Sequence, residues 1–328
     1  MQAMHLAIAL LFVTASLAVI SGINDGGVLL ALAVRYTVVP LRWFVVILCV
    51  MLIAGPLLLS VTVAKTLTFG LFAQQPGSEL AFLVGAGLAL IVVLTLSALS
   101  LPTSLTLALV GGLSGAAWGF GLTVKWPTVL AVLLIGAAAP IFSVIAGRIT
   151  AELLRLWDYR RRGNIVFRAL HLGAFSFQCL AYAVNDGQKM LAAAAVTLAA
   201  LPAAPGIFGE TDRMNLLLVL VCLTVLYCVG MLASLRKVTR RIAIGLAVLR
   251  PVDAVTAELV SATVVMASSA LGAPVSMTQA VAGGIVGTAS SKGMRRVRWD
   301  SVTKIAGAWL ITLPASGLLA FGVARVIP

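Results

Sequence analysis

Gly272-Ala273-Pro274-Val275-Ser276 stands near the middle of an apolar run over 254–291, and Arg250 and Lys292 border that run at its two ends. The run is too long for one simple pass, since a bilayer core takes about 20 helical residues. Proline breaks a helix interior but suits the first position of a new helix. The run therefore reads as two half-helices meeting at a break, the second starting at Pro274. Basic flanks are held on the cytoplasmic side of a membrane. With basic residues at both ends, the run enters and leaves on that one side, as a re-entrant hairpin with its tip inside the membrane.

Ser100-Leu101-Pro102-Thr103-Ser104 sits in the same way near the middle of an apolar run over 80–123. Its flanks are different: Gln74, Gln75 and Glu79 precede it and Lys125 alone follows it closely. This second hairpin reads as entering from outside, with a half-helix starting at Pro102. Further apolar runs cover 4–33, 40–62, 127–147, 166–202, 214–235 and 301–326. The run over 166–202 would be about 55 Å long as one straight helix at 1.5 Å per residue, so it must be broken or partly interfacial.

Hydrophobic residues make up 61% of the 328 and charged residues 10%, where a soluble domain carries about a quarter charged. No stretch is long and polar enough for a separate soluble domain. The first 20 residues lack a basic leader and a small-residue cleavage site, so they read as a first span. The net charge of +13 does not point to nucleic acid, because of where the charge lies. Arg148, Arg155, Arg160, Arg161, Arg162 and Arg168 form one cluster, Arg236, Lys237, Arg240, Arg241 and Arg250 a second, and Lys292, Arg295, Arg296, Arg298 and Lys304 a third. All border apolar runs, as cytoplasmic loops do, and none forms an aromatic-interleaved basic groove. Cys49, Cys179, Cys222 and Cys228 lie in apolar runs at spacings that fit no metal motif, and read as small buried residues. His5 and His171, the only histidines, read as interfacial or structural. No nucleophile–base pair or metal cluster is visible, which argues against an enzyme and against an organic cofactor.

Following the loop charges, the first half starts outside, passes inward towards Arg35 and Arg42, returns, makes its outer hairpin and crosses in to Arg148. The second half starts inside at Arg168, crosses to the loop around Glu210 and Asp212, returns to Arg236, makes its inner hairpin and crosses out. The expected fold is an all-α polytopic membrane protein of two inverted-topology repeats, each with transmembrane helices and a broken re-entrant helical hairpin. The first repeat spans 1–148, a basic cytoplasmic connector 149–165, and the inverted second repeat 166–328. Many secondary transporters share this plan.

Two polar signals recur in the same order in both halves. One is Asn-Asp inside an apolar run, as Asn24-Asp25-Gly26-Gly27-Val28 and Asn185-Asp186-Gly187-Gln188-Lys189. The other is Pro-x-Ser-x-Thr followed by glycines: Pro102, Ser104 and Thr106, then Gly111, Gly112 and Gly115; and Pro274, Ser276 and Thr278, then Gly283, Gly284 and Gly287. An ionised carboxylate deep in a bilayer costs at least about 2.5–3.5 kcal/mol and marks function. Apart from Glu258, near a hairpin's cytoplasmic mouth, Asp25 and Asp186 are the acids well inside long apolar runs. A carboxylate with a neighbouring amide and freed carbonyls offers hard oxygen ligands for Na+, or a proton site. Asp25, Asp186, Asn24 and Asn185 are thus the candidates for a coupling cation. Half-helix N-termini present free N–H groups and a positive dipole end, which suits a small oxyanion. Ser104, Thr106, Ser276 and Thr278, with Asn24 and Asn185, are the candidates for binding it. Gln188, Lys189, Gln279 and Glu258 are accessory candidates. Lys189 follows Asp186 by three residues and can pair with it or reach the anion. The glycines behind each tip read as close-packing positions. An Asp186→Asn exchange is expected to leave stability intact, because a neutral amide is cheaper to bury than a carboxylate.

Taken together these residues resemble the inorganic phosphate transporter (PiT) family. Asn185-Asp186-Gly187-Gln188-Lys189 is similar to that family's Asn-Asp-(Gly/Ala)-Gln-Lys, and Leu271-Gly272-Ala273-Pro274-Val275-Ser276-Met277-Thr278-Gln279 to its Leu-Gly-x-Pro-Val-Ser-Thr-Thr-His. Val297-Arg298-Trp299 and Ala308-Trp309-Leu310-Ile311-Thr312-Leu313-Pro314 resemble its C-terminal end. Leu105 and Met277 replace the middle threonine of the two tips, Leu107 and Gln279 the histidine, and Gly27-Val28 follow the first Asn-Asp where the family usually has another asparagine. The resemblance implies symport of inorganic phosphate with Na+ or H+ in a bacterial plasma membrane, as a multi-pass protein in the lipid bilayer and as a candidate homo-oligomer. Sulfate or another small oxyanion is the rival substrate. A non-transporting regulatory protein on a degenerate transporter scaffold is the rival class.

Overall fold

A computed structural model describes residues 2–30, 40–99, 103–156, 164–201, 213–247 and 249–327. Arg35, Pro102, Arg160, Arg161, Arg162, Glu210 and Asp212, on which parts of the sequence reading rest, lie outside the described residues. The helices are α1 (Gln2–Ser21, running on through a π-helical turn, Gly22–Gly26), α2 (Leu41–Leu58), α3 (Thr62–Lys65), α4 (Ser78–Ala98), α5 (Leu105–Gly119) and α6 (Trp126–Leu156). They continue as α7 (Asn164–Val184), α8 (Gly187–Ala199), α9 (Arg213–Gly245), α10 (Pro251–Ala270), α11 (Met277–Ser290) and α12 (Trp299–Val326). Among the described residues seven helices are long and apolar enough to cross a membrane: Met4–Leu30, Leu41–Leu58, Ser78–Ala98, Trp126–Leu154, Arg213–Ser234, Pro251–Ala270 and Trp299–Val326. Their outer faces expose large apolar side chains such as Leu11, Phe12, Leu134, Phe142, Val225, Leu310 and Leu318, while Asp25, Asn185, Asp186, Gln188 and Lys189 are buried. Such a surface fits lipid and not water. The protein is a multi-pass membrane protein.

Each long apolar run divides where a break is needed. The run over 80–123 becomes α4 and α5, and the run over 254–291 becomes α10 and α11. The run over 166–202 becomes α7 and α8, interrupted at Asn185 and Asp186. The first Asn-Asp pair is accommodated differently. Asn24 and Asp25 sit in the π-helical turn of an otherwise continuous span, an irregularity often found at functional sites.

One expectation fails in detail. Pro274 does not start a helix: α11 begins at Met277, with Ser276 in the N-cap position and extended backbone there (φ −100°, ψ 118°). The cause lies at the break between α7 and α8. Asn185 donates from Nδ2 to the Ala273 carbonyl at 3.1 Å and accepts the Val275 N–H at Oδ1 at 3.0 Å. This bracket holds the segment extended, a conformation that Ala273 already favours because it precedes proline. Gly272, with φ 71°, makes the turn out of α10 in a region that side chains resist. In the first hairpin α5 begins at Leu105, after an N-cap at Ser104.

Helices are exchanged between the two halves of the chain. The first tip helix, α5, packs on the last helix, α12; the second tip helix, α11, packs on α6, the last helix of the first half. In the same way α1 packs on α9 and α7 on α2. Two isolated antiparallel bridges, Phe72 with Val124 and Ala247 with Val297, tie the start of each hairpin to the chain just before its closing helix. The tip glycines make the exchange possible. A Cβ on Gly115 would lie 2.2 Å from the Gly317 carbonyl oxygen, and one on Gly287 would lie 2.1 Å from that of Val144. At the base of the second hairpin, Asp253 takes Lys292 and accepts the Arg250 N–H at 2.8 Å, which joins the two mouths of the run. Cys222 departs from the expectation of a buried thiol. It is exposed on the apolar exterior, where a small, weakly polar residue meets lipid at little cost.

Candidate functional site

The two hairpin tips meet. Thr106 at the start of α5 donates its hydroxyl to the Val275 carbonyl in the second tip at 3.0 Å. Around this junction the helix break at Asn185 and Asp186 and the π-helical turn at Asn24 and Asp25 bring in both carboxylates. The second tip engages both acids. Met277 N–H, at the N-terminal end of α11, donates to Asp186 Oδ2 at 3.2 Å, and Thr278 donates its hydroxyl to Asp25 Oδ1 at 3.0 Å. The positive end of α11 thus faces negative charge.

The two acids differ in what balances them. Asp25 accepts from Thr278, from the Asn24 side-chain amide at 2.8 Å and from the Tyr182 hydroxyl at 3.3 Å, all neutral donors. Asp186 is paired with the Lys189 ammonium. Lys189 is 1% exposed, and its Nζ also donates to the Thr106 hydroxyl and, at 3.2 Å, to the Val275 carbonyl. A buried charge needs a partner or hydrogen bonds, and Lys189 has both.

The candidate residues from the sequence separate into groups. Asp186, Lys189 and Thr106 form one group and Asp25, Thr278 and Asn24 another, and the second tip joins them through the Met277 N–H on Asp186 and the Thr278 hydroxyl on Asp25. Ser104 and Ser276 sit at the N-caps of the two tip helices. Ser104 accepts the Leu107 N–H at 3.3 Å, whereas the Ser276 side chain makes no capping bond. Asn185 spends its amide on the second tip and on the Ser269 hydroxyl, at 2.8 Å. Gln188 points elsewhere, accepting the Ala64 N–H at 2.9 Å and donating to the Ser60 carbonyl. Gln279 is buried on α11. Glu258 lies outside the cluster: it is on α10, about 18 Å of helix rise before Ala270, and it pairs with His171 Nε2 at 3.1 Å. Both members of that pair are fully buried, so His171 is a core residue and not an interfacial one.

Four residues near the site escape the motif reading. Tyr182 donates to Asp25, and its only sequence signal is a phenol one helical turn before Asp186. Ser269 accepts from Asn185. Thr103 buries a hydroxyl that has no hydrogen-bond partner among the described residues, and the Tyr227 hydroxyl lies beside Gly26 of the π-helical turn. Hydroxyls, one N–H terminus, two carboxylates and an ammonium in one buried place can hold a small anion and a cation together.

Comparison with known proteins agrees with this chemistry. The sequence model of the phosphate transporter family matches residues 21–165 and 154–320. A probable low-affinity inorganic phosphate transporter of Mycobacterium leprae is 28% identical over 67% of this chain and 53% of its own length. Its counterpart in Mycobacterium bovis is 29% identical over 91% of this chain and 72% of its own length. One in Rhizobium meliloti is 30% identical over 67% of this chain and 66% of its own. The chain therefore spans about half to three-quarters of the length of these relatives. A solved structure titled "The sodium-dependent phosphate transporter" superposes with a TM-score of 0.83 over 98% of this chain and 99% of that one, at 18% identity. At that identity the likeness speaks for the fold alone.

Proposed function

The chain belongs to the phosphate transporter family, and on that footing we propose that it takes up inorganic phosphate across the plasma membrane together with a coupling cation, Na+ or H+. The observation that carries the proposal is the junction of the two tips: the Thr106 hydroxyl of one hairpin meets the Val275 carbonyl of the other beside Asp25 and Asp186. A site at which two hairpins meet can be uncovered from either side in turn, which alternating access requires. The anion is held by the tip hydroxyls, Ser276 and the unpartnered Thr103 among them, and by the N-terminal end of α11. Its charge adds to two carboxylates in a buried place, so cations or protons must enter with it.

The two repeats, 1–148 and 166–328 joined by the connector 149–165, are proposed to lie in opposite orientations, with the second hairpin opening to the cytoplasm. Two hairpins that meet tip to tip support that arrangement. Leu105 and Met277 remove a hydroxyl from each tip relative to the family pattern, so substrate choice is tested directly. Proteoliposomes are given radiolabelled phosphate or sulfate under an imposed Na+ or pH gradient. Phosphate accumulation driven by one gradient, with sulfate excluded, supports the proposal. Sulfate in place of phosphate corrects the substrate, and no accumulation of either refutes transport.

A further inference from the structure

Aligning the two Asn-Asp segments exposes an asymmetry. Asn24-Asp25-Gly26-Gly27-Val28 stands against Asn185-Asp186-Gly187-Gln188-Lys189, so the position of Lys189 is held by Val28 in the first repeat. Both side chains are buried. The Lys189 ammonium is surrounded by oxygen atoms of three kinds from three places: the Asp186 carboxylate at the helix break, the Thr106 hydroxyl at the first tip, and the Val275 carbonyl at the second. Carboxylate, hydroxyl and carbonyl oxygens are the hard ligands that a Na+ ion takes where helices are interrupted. An ammonium carries the same single charge, and each of its three N–H bonds finds one of these oxygens. Asp25 is without such a partner: its three hydrogen bonds come from the neutral Thr278, Asn24 and Tyr182.

We propose that Lys189 is a tethered cation occupying one of the two cation positions of the site, so that the position at Asp186 is closed to free Na+ and the exchangeable cation binds on the Asp25 side alone. The proposal rests on the reading of Asp25 and Asp186 as a cation-coupled anion site and refines it. The chain carries a permanent positive charge through every cycle, and one ion fewer accompanies each anion than in a site with two free positions. Position 189 is then a determinant of coupling stoichiometry. The short tether also explains why Thr106 turns to Val275: a hydroxyl that accepts from Lys189 has its own hydrogen free for the carbonyl.

The test needs no phosphate. Wild type, Lys189→Gln and Lys189→Ser are purified, and thermal unfolding is followed as NaCl replaces N-methyl-glucamine chloride at constant ionic strength. A ligand that binds only the folded state raises the melting temperature with its concentration. Both variants are expected to gain a saturable Na+-dependent upward shift beyond any that wild type shows, and adding Asp186→Asn to Lys189→Gln should abolish the gain. Lys189→Gln keeps the length of the side chain, so it reads out even where Lys189→Ser fails to fold. If Lys189→Gln itself aggregates, purification in NaCl must recover it. A folded Lys189→Gln whose Na+ response equals that of wild type overturns the proposal, and so does aggregation that NaCl does not relieve. Failure of phosphate uptake with the gained Na+ response intact would instead count against the transport reading alone.

Discussion

Replacing Asp186 by asparagine tests the cluster through its stability. The exchange keeps the shape of the side chain and an oxygen to accept the Met277 N–H, but it removes the charge that balances Lys189. The two side chains are 3% and 1% exposed, so water cannot take over. Removing one partner of a buried ion pair costs about 3–5 kcal/mol, because the other charge is left uncompensated. Lys189 keeps its bonds to Thr106 and Val275, which places the expected loss near the lower end, about 3 kcal/mol. Removing both charges restores the balance: Asp186→Asn combined with Lys189→Met should return close to wild type, since replacing a whole buried pair is often neutral. Thermal unfolding in detergent, read by tryptophan fluorescence, ranks the three proteins. An Asp186→Asn protein as stable as wild type, or a double variant no better than the single one, would refute the pairing on which the account of Lys189 stands.

Three further outcomes follow from the geometry. Ser104→Ala should lower stability by about 1 kcal/mol through loss of a cap, whereas Ser276→Ala should leave stability unchanged and weaken anion affinity about ten- to a hundred-fold, as loss of a hydrogen bond to a charged group does; equal affinity in Ser276→Ala and wild type would make that hydroxyl a bystander. Gly287→Ala sets a Cβ 2.1 Å from the Val144 carbonyl oxygen, backbone against backbone, so folded yield should collapse, while Gly307→Ala, with nothing within 4 Å of its Cβ, should express as wild type. Arg296→Cys, on a background without Cys49, Cys179, Cys222 and Cys228, should react with an impermeant maleimide only from the cytoplasmic side; labelling from outside would remove the inverted orientation of the second repeat.

Much of the fold is legible in the sequence because a bilayer imposes length and charge rules. The excess length of the runs over 80–123, 166–202 and 254–291 demands breaks, and the breaks occur at the tips and at Asn185-Asp186. The pairing of Lys189 with Asp186 also follows from their spacing, because residues three apart share a helix face. What escapes is long-range. Pro274 reads locally as a helix start, but Asn185, at the distant break between α7 and α8, brackets that segment in an extended form. Motif reading presents Thr106 and Thr278 as anion-binding hydroxyls, yet one faces Val275 and Lys189 and the other Asp25, partners far away in the chain. Stability turns on weighing the local pair of Asp186 and Lys189: an acid considered alone makes Asp186→Asn harmless, and an acid balancing a buried ammonium makes it costly. Glu258 is visible as a buried acid, but His171, which removes it from the cluster, carries no local signal.

The central claim is that the buried acids couple anion entry to a cation, and Asp25, whose partners are all neutral, is where it is tested most directly. Asp25→Asn leaves no opposite charge stranded, so the folded protein should survive for assay. The decisive measurement is the ratio of internal to external radiolabelled phosphate in proteoliposomes under an imposed cation gradient, for wild type and Asp25→Asn at equal reconstitution. The account predicts a ratio well above unity for wild type, collapsing when the gradient is dissipated, and a ratio for Asp25→Asn that never exceeds unity and does not respond to the gradient. An Asp25→Asn protein that accumulates phosphate to the wild-type ratio, with the same dependence on the gradient, would contradict it.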